Sequence, residues 1–234
     1  MKSKTGNWKR RRHPARVEEP PAMKVSEIFY SIQGESSFAG WPCAFIRLTA
    51  CNLRCSYCDT EYAFSEGKEM SQAEILAAVS AYPARLVLVT GGEPMLQLEV
   101  RGLFQGLLDA GYTVCVETGG QVPLEGVDRR VHKIMDLKCP SSGMHHHNDY
   151  RNLELLTPND EVKFVVGDRA DFDWALEVIA RHDLPSRIGV VLFSPVYNVL
   201  PYSDLAHWIL DCGLRVRMQV QLHKIIWPGV VRGV

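Results

Sequence analysis

The sequence has 234 residues and a formal net charge of −1, with 46% hydrophobic and 23% charged residues. This composition is typical of a soluble globular domain with a sizeable core, and it excludes disordered, collagen-like and low-complexity proteins. Purely apolar runs, such as residues 86–89 and 189–193, are far shorter than the ~20 residues that cross a bilayer, so no membrane span is expected.

The chain begins with a basic segment. Residues 1–16 contain seven Lys or Arg residues and no acidic residue, which leaves 19 basic against 27 acidic residues in the remainder. We predict that residues 1–22 form a disordered leader and that residues 23–234 form a single domain. The acidic balance of this domain argues against a nucleic-acid surface. Because the leader lacks the apolar segment of a secretory signal, the sequence predicts a cytoplasmic protein without a membrane partner.

From Val25 onward, short β-branched runs alternate with segments of helical period, which indicates parallel βαβ units. About six or seven strands are too few for a closed eight-unit barrel, so we predict an α/β fold, an open or partial parallel α/β barrel. Strands are expected at residues 43–49, 85–90, 112–117, 131–136, 161–166, 188–193 and 214–220. Helices are expected from the capping box Ser71-Gln-Ala-Glu74 onward and at residues 97–110, 171–182 and 203–212.

Polar and glycine-rich segments follow five of the predicted strands. In parallel α/β folds the carboxyl ends of the strands share one edge, where the chemistry collects. We therefore expect these segments to surround one site. They are Cys51, Gly91-Gly92-Glu93-Pro94, Glu117-Thr-Gly-Gly120, Asp136-Leu-Lys138 and Ser194-Pro195.

Three of the seven cysteines lie within eight residues, Cys51-Asn-Leu-Arg-Cys55-Ser-Tyr-Cys58. Three thiolates on one loop favour an iron–sulfur cluster with one iron free for a small-molecule ligand. A zinc site, which needs a fourth ligand such as Cys43, and a redox or inert thiol pair remain open at this point. The other cysteines, Cys115, Cys139 and Cys212 among them, are expected to be small buried side chains.

These motifs resemble the radical S-adenosylmethionine (SAM) superfamily. The features that carry the resemblance are the Cys-x3-Cys-x2-Cys spacing, the aromatic Tyr57 before the last cysteine, and the Gly-Gly-Glu-Pro motif after the next strand. The resemblance implies a [4Fe-4S] cluster held by Cys51, Cys55 and Cys58, and SAM as the source of a 5′-deoxyadenosyl radical. The radical comes from the cofactor, so no side chain is assigned as catalytic.

Further motifs are similar to those of the 7-carboxy-7-deazaguanine synthase family. This resemblance implies a lyase that converts 6-carboxy-5,6,7,8-tetrahydropterin to 7-carboxy-7-deazaguanine with loss of ammonia, in queuosine or 7-deazapurine biosynthesis. It also implies a homodimer and an electron donor such as a flavodoxin or ferredoxin. The motifs are Phe29-Tyr-Ser-Ile-Gln-Gly-Glu-Ser36, Phe45-Ile-Arg-Leu-Thr-Ala-Cys51, Cys58-Asp-Thr-Glu61, Thr90-Gly-Gly-Glu-Pro94, Glu117-Thr-Gly-Gly120 and Gln221-Leu-His-Lys224.

The resemblance assigns roles residue by residue. Thr60 is expected to bind Mg²⁺, and Arg47 to hold the pterin carboxylate. The substrate-binding residues implied are Ile32, Gln33, Gly34, Arg47, Thr90 and His223. The SAM-binding residues implied are Tyr57, Gly91, Gly92, Glu93, Glu117, Asp136, Leu137, Lys138, Phe193, Ser194, Pro195 and Val196.

Two features depart from the family pattern. Ala50 precedes the first cysteine, where Gly is frequent, so the geometry of the loop is in question. Residues 225–234 extend beyond the point at which some members of the family place a terminal carboxylate in the site. Whether Val234 takes that role is left open by the sequence.

Simpler interpretations compete with several of these roles. Without the resemblance, Arg47 reads as a surface charge on an edge strand and Glu93 as a first-turn helix charge. His145-His-His147 reads as a loop without a metal. For the whole chain, the alternatives are a glycyl-radical-activating enzyme and, in another class, a zinc-stabilised RNA-binding module that uses the basic leader.

Overall fold

The computed structural model describes residues 22–234, so residues 1–21 of the predicted leader lie outside the described part. Ala22 is the first residue of a strand. The strands are β1 (Ala22–Ile32), β2 (Pro42–Leu48), β3 (Lys68–Ser71), β4 (Leu86–Gly91), β5 (Thr113–Thr118), β6 (His132–Leu137), β7 (Glu161–Val166), β8 (Val190–Pro195) and β9 (Arg217–Met218). The helices are α1 (Gln72–Ser80), α2 (Val100–Asp109), α3 (Arg169–His182), α4 (Leu184–Arg187), α5 (Tyr202–Cys212) and α6 (Leu222–Ile226).

The strands form one sheet of nine, in the order β3-β1-β2-β4-β5-β6-β7-β8-β9. From β2 to β9 the seven neighbouring strands are parallel, which confirms the predicted set. Strands β1 and β3 extend the sheet in antiparallel fashion and were not predicted. In the described residues the edge strands are β3 and β9, so the predicted open α/β barrel is confirmed.

The predicted capping box at the start of α1 is confirmed. Ser71 Oγ accepts a hydrogen bond from Glu74 N at 3.3 Å, and Glu74 Oε2 accepts one from Ser71 N at 2.8 Å. Helix α2 begins at Val100, later than expected. The cause is Gln97, whose backbone is extended because its side-chain amide bonds the backbone of Lys24 and Thr49 at 2.7–3.0 Å.

The strands bury both faces, as parallel strands do. One face packs under the helices in the main core, which includes Ile46, Val89 and Val116. The opposite face encloses a smaller apolar group near the amino ends of the strands, the interior floor. Its members are Phe29, Cys43, Phe45, Leu86, Leu88, Cys115 and Ile134. Among the helices of residues 22–234, none has both the length and the apolar character needed to span a bilayer.

A β-bulge in β1 changes which face its side chains occupy. The register to β2 shifts between Val25 and Glu27. Before the shift, Met23 and Val25 pack in the main core, whereas after it Phe29 belongs to the interior floor. A bulge inserts an extra residue and re-aims the side chains that follow. Glu27 thereby reaches the interior face, opposite Arg47 of β2.

Candidate functional site

A cavity of about 440 Å³ opens at the carboxyl ends of the parallel strands. Phe45 and Leu88 of the interior floor form part of its base. It brings together most of the residues that the sequence assigned to the site. These are Ile32, Gln33, Gly34, Arg47, Cys51, Cys55, Tyr57, Cys58, Thr60, Thr90, Gly91, Gly92, Glu93, Glu117, Asp136, Lys138, Val196 and His223.

The three clustered cysteines lie on the loop after β2 and line one wall of the cavity. Each is partly buried, and burial raises the pKa of all three thiols above 9.0 in the protein without metal. Cys43 does not join them, because its side chain is fully buried in the interior floor. Its burial raises its pKa to about 12, so it is a neutral thiol. The site therefore offers three cysteine ligands, whose thiols would lose their protons on binding metal.

Gly91 and Gly92 allow the end of β4 to touch the cysteine loop. A Cβ atom on Gly91 would collide with the Leu48 carbonyl, and one on Gly92 with that of Ala50. The same contact contains hydrogen bonds from Gly92 N to Leu48 O at 3.2 Å and from Glu93 N to Ala50 O at 2.7 Å. These glycines thus secure the loop that carries the thiols. Ala50 has φ +81°, a left-handed value that costs a residue with a Cβ about 1 kcal/mol.

Glu93 is a fully buried brace between two strand ends. Its Oε1 accepts hydrogen bonds from Thr118 Oγ1 at 2.8 Å and Met95 N at 3.0 Å, and its Oε2 accepts one from Gly119 N at 2.9 Å. Burial raises its pKa above 4.5 despite these donors. The bond from Met95 N agrees with the interpretation of Glu93 as a charge at the start of a helix. The bonds from Thr118 and Gly119 join the segment after β4 to the segment after β5.

A charged group that the sequence analysis missed lies beside this wall. Lys163 of β7 is 4% exposed, and its Nζ lies 2.7 Å from Glu35 Oε2, 3.3 Å from Asp136 Oδ2 and in contact with Glu117 Oε1. Lys138 Nζ lies 3.1 Å from the other oxygen of Asp136. We call Lys163, Glu35, Glu117 and Asp136 the Lys163 cluster. A lone Lys in the apolar strand Glu161-Val-Lys-Phe-Val-Val166 was the available signal.

The carboxylates of the Lys163 cluster differ in their affinity for protons. Burial alone favours the neutral form of Glu35, but Lys163 and a 2.8 Å hydrogen bond from Gln221 Nε2 lower its pKa below 4.5. Gln219 Nε2 adds a bond at 3.1 Å. Burial raises the pKa of Glu117 above 4.5, since Lys163 offsets it only in part. Glu117 is therefore the carboxyl group that takes up a proton more readily.

Arg47 also lines the cavity. It belongs to β2, an internal strand, and its side chain is 14% exposed, so the surface-charge interpretation is wrong. Its Nε donates a hydrogen bond of 2.6 Å to Glu27 Oε1. Thr90 is its register partner on β4 and is buried. A guanidinium and a hydroxyl thus stand side by side at this wall.

The loop after β1 meets helix α6 at the mouth. Gly34 O accepts a hydrogen bond from Leu222 N at 3.1 Å, and a Cβ on Gly34 would collide with the His223 ring. Burial lowers the pKa of His223 below 6.5, so its imidazole is neutral near pH 7.

Thr60, the residue predicted to bind Mg²⁺, contacts a neighbouring carboxylate. Thr60 Oγ1 donates to Asp59 Oδ1 at 2.9 Å, and Lys224 Nζ lies 2.6 Å from Asp59 Oδ2.

Some predicted residues do not reach this cavity. Leu137 and Phe193 are fully buried in the main core, and Ser194 and Pro195 are buried outside the lining. His145–His147 forms an exposed 3-10 turn. Within residues 22–234, no three His, Cys, Asp or Glu side chains are arranged around a single metal ion.

A family model described as the Radical SAM superfamily matches residues 45–209. The crystal structure of QueE from Escherichia coli has the same fold, with a TM-score of 0.71 and 23% identity over 85% of this chain and 94% of that one. The open barrel with a three-cysteine loop at its carboxyl edge is thus that of a radical SAM enzyme.

Two relatives define the group more narrowly. The 7-carboxy-7-deazaguanine synthase of Koribacter versatilis is 45% identical over 226 residues, covering 91% of this chain and 100% of the relative. That of Chlorobaculum tepidum is 49% identical over 215 residues, covering 91% and 97%. The chain belongs to the 7-carboxy-7-deazaguanine synthase family, which confirms the resemblance found in the sequence.

The residues present fit the two cofactors that the radical SAM family implies. Three thiols line the cavity and Cys43 is held away from them, so a [4Fe-4S] cluster bound here would keep one iron without a protein ligand. The same geometry excludes Cys43 as the fourth ligand of a zinc site, which a closed structural zinc centre requires.

Proposed function

We propose that this chain is a radical SAM lyase that converts 6-carboxy-5,6,7,8-tetrahydropterin to 7-carboxy-7-deazaguanine with loss of ammonia, for queuosine or 7-deazapurine biosynthesis. The observation that carries the proposal is one cavity whose lining combines the three thiols with Arg47, Thr90 and Gln33. Membership of the synthase family supports the same reaction.

Cys51, Cys55 and Cys58 would hold the cluster. When bound together, the cluster and SAM supply a 5′-deoxyadenosyl radical that abstracts hydrogen from the substrate. Tyr57, within the thiol loop, and Lys138, after β6, line the cavity and are side chains we assign to SAM contact. The Tyr57 hydroxyl donates to Val165 O at 3.3 Å, which fixes its ring in the wall.

The charges of the cavity suit a cationic cofactor beside an anionic substrate. Three carboxylates, on Glu35, Glu117 and Asp136, face the two ammonium groups of Lys163 and Lys138, which leaves a net negative charge when all are ionised. A sulfonium is favoured near such a surplus. In the same cavity, the Arg47 guanidinium is the planar donor suited to a carboxylate.

The pterin would be held by Arg47 and by groups that form hydrogen bonds with its ring. Gln33 is 3% exposed and carries both a donor and an acceptor, as ring nitrogens and an amide require. Ile32, Gly34 and Thr90 complete the substrate wall, with His223 at the mouth. His223, being neutral, would offer a hydrogen bond without adding charge.

The finer parts of the proposal concern metal and partners. We assign Mg²⁺ to Thr60, supported by the adjacent Asp59 carboxylate, since Mg²⁺ prefers oxygen ligands and keeps several waters. The proposal also includes a homodimer, a flavodoxin or ferredoxin as electron donor, and a cytoplasmic location.

Anaerobic reconstitution tests the proposal. We expect a brown protein with four irons and four sulfides per chain, which forms the deazapurine when given SAM, reductant, Mg²⁺ and the carboxypterin. Cys55→Ala should lack the cluster, with Cys212→Ala as the matched control that keeps it. Formation of 5′-deoxyadenosine without the deazapurine would overturn the substrate assignment. A colourless zinc protein would overturn the whole proposal.

A further inference from the structure

Arg47 is paired with a carboxylate that has no assigned role. Glu27 of β1 is the cross-strand register partner of Arg47 on β2. Arg47 Nε lies 2.6 Å from Glu27 Oε1, and the two side chains are only 14% and 17% exposed. A charge pair this close and this enclosed fixes the orientation of the guanidinium.

The bond to Glu27 uses one edge of the guanidinium and leaves the other available. Arginine has five N–H donors in a planar fork. Nε is engaged by Glu27, and no hydrogen bond from the two Nη atoms reaches another of residues 22–234. Because Arg47 lines the cavity, its Nη edge is the part available for a bidentate carboxylate.

Glu27 also binds the C-terminal segment, residues 227–234. Its Oε2 accepts a hydrogen bond from Gly233 N at 3.3 Å, and its Oε1 accepts one from Tyr62 Oη at 2.6 Å. The Tyr62 ring lies near two guanidinium groups, with Arg232 at 4.1 Å and Arg47 at 5.9 Å from its centroid. Arg232 Nη2 in turn pairs with Glu66 Oε2 at 2.7 Å.

We propose that Glu27 is a positioning residue with two tasks: it orients Arg47 for the substrate carboxylate, and it fastens the C-terminal segment beside the same subsite. The inference rests on the proposed function, because it takes the substrate to be a carboxylated pterin. It assigns selectivity for the carboxylate to the Arg47–Glu27 pair rather than to Arg47 alone.

Replacing Glu27 in two ways separates the two tasks. Glu27→Ala removes both the acceptor for Arg47 Nε and the acceptor for Gly233 N. Glu27→Gln retains an amide oxygen for Arg47 Nε but presents an NH₂ group to Gly233 N, which cannot accept its hydrogen bond. Glu69→Ala, an exposed carboxylate on β3, is the matched control.

Binding is measured by anaerobic calorimetry on the reconstituted holoenzyme with SAM and Mg²⁺ but no reductant. The ligands are the carboxypterin and the tetrahydropterin without a carboxylate. We expect Glu27→Ala to weaken carboxypterin binding by about 10- to 100-fold, with a change below about threefold for the other ligand. Glu27→Gln should stay within about fivefold of wild type. In turnover assays, Glu27→Ala should raise KM with little change in kcat.

Release of Val234 by carboxypeptidase, followed by mass, reports on the C-terminal segment. Release should be faster in both Glu27 variants than in wild type and unchanged in Glu69→Ala. If Glu27→Ala does not fold, Glu27→Asp, which keeps the charge but is one methylene shorter, should weaken carboxypterin binding in the same selective way.

The outcomes distinguish the inference from the function on which it rests. Wild-type affinity for carboxypterin in Glu27→Ala would overturn the orienting task, and equal release rates would overturn the fastening task. If wild type itself binds both pterins equally or neither, the proposed substrate is wrong.

Discussion

Two groups of side chains neutralise positive charge in different surroundings. One is the Lys163 cluster. The other is the group around Arg47, which consists of Arg47, Glu27, Tyr62 and Arg232. The Lys163 side chain is 4% exposed and has three carboxylate partners from separate segments. Arg232 is 52% exposed, has one carboxylate partner and stacks on an aromatic ring. A buried ammonium must replace its hydration with several partners, whereas an exposed guanidinium keeps its water.

Because of this difference, we expect the Lys163 cluster to affect mainly the stability of the fold, and the group around Arg47 to affect mainly ligand binding and the C-terminal segment. Removing the centre of the buried cluster leaves three carboxylates facing one another at low dielectric, so the fold suffers first. Arg232 and its partner Glu66 are both exposed, so removing Arg232 leaves Glu66 hydrated and the C-terminal segment responds first. Substitutions in the two groups should therefore give effects of different size and kind.

Lys163→Met should have the largest effect. We expect it to lower the free energy of unfolding by about 3 kcal/mol, because it strands buried charges that lose their shared partner. Urea denaturation of the reconstituted protein, followed by circular dichroism, measures the loss. Arg151→Met, which breaks the exposed pair with Asp149, is the control and should behave like wild type. If Lys163→Met were as stable as Arg151→Met, the expected difference between buried and exposed charges would be contradicted.

Within the buried cluster, Glu35 and Glu117 should respond to pH in opposite directions. Since the folded pKa of Glu35 is below 4.5, its stabilising effect is present above about pH 4.5 and is lost as the pH falls through the folded pKa. Glu35→Gln should thus cost more stability at about pH 7 than at about pH 3.5.

The folded pKa of Glu117 is above 4.5, so its ionisation opposes folding above that pKa, and the penalty disappears as the pH falls. Glu117→Gln should therefore cost less at about pH 7 than at about pH 4.5. Urea denaturation across this range measures both variants. If the stability loss of the two variants changed with pH in the same direction, the opposite pKa shifts of Glu35 and Glu117 would be contradicted.

Tyr62→Phe, in the group around Arg47, should have a smaller effect. It removes the hydroxyl that donates to Glu27 Oε1 but keeps the ring beside Arg232. We expect the free energy of unfolding to fall by about 1.5 kcal/mol, the lower end of the range for a hydrogen bond to a charged acceptor, because this one is only partly buried. A loss as large as that of Lys163→Met would contradict the distinction drawn above.

Arg232→Ala should leave stability unchanged within error, because its pair with Glu66 is exposed and screened by solvent. Its effect should be seen instead in faster carboxypeptidase release of Val234, since the stacking on Tyr62 is lost. Lys68→Ala, an exposed charge on β3, is the control. Unchanged release would show that Arg232 does not hold the C-terminal segment.

The sequence predicted the parts of this molecule that repeat a local pattern. Seven parallel strands followed from β-branched runs, and the meeting of Cys51, Gly91, Glu117 and Asp136 followed from the shared edge of such strands. Strand β1 was not predicted, because its bulge moves the side chains from one face of the sheet to the other partway along the strand. The alternation of apolar and polar residues therefore does not mark a single buried face.

The two charge groups could not be predicted, since their partners are far apart in the chain. Lys163 meets Glu35 across 128 positions and Glu117 across 46, and no local pattern records such pairings. Glu27 meets Arg47 across 20 positions, but only through the register that the bulge sets. Lys163 itself was visible as the one Lys in a largely apolar strand, although its role was not.

The interior floor separates the cavity from the amino ends of the strands. Phe45 and Leu88 line its base, and a second hollow, at the amino ends of the strands, is lined by other residues such as Phe38 and His132. Among residues 22–234, reactants and products are therefore expected to pass through the mouth at the carboxyl ends of the strands. Val230, Val231 and Val234 of the C-terminal segment line the cavity, so this segment is placed to affect how fast the product leaves.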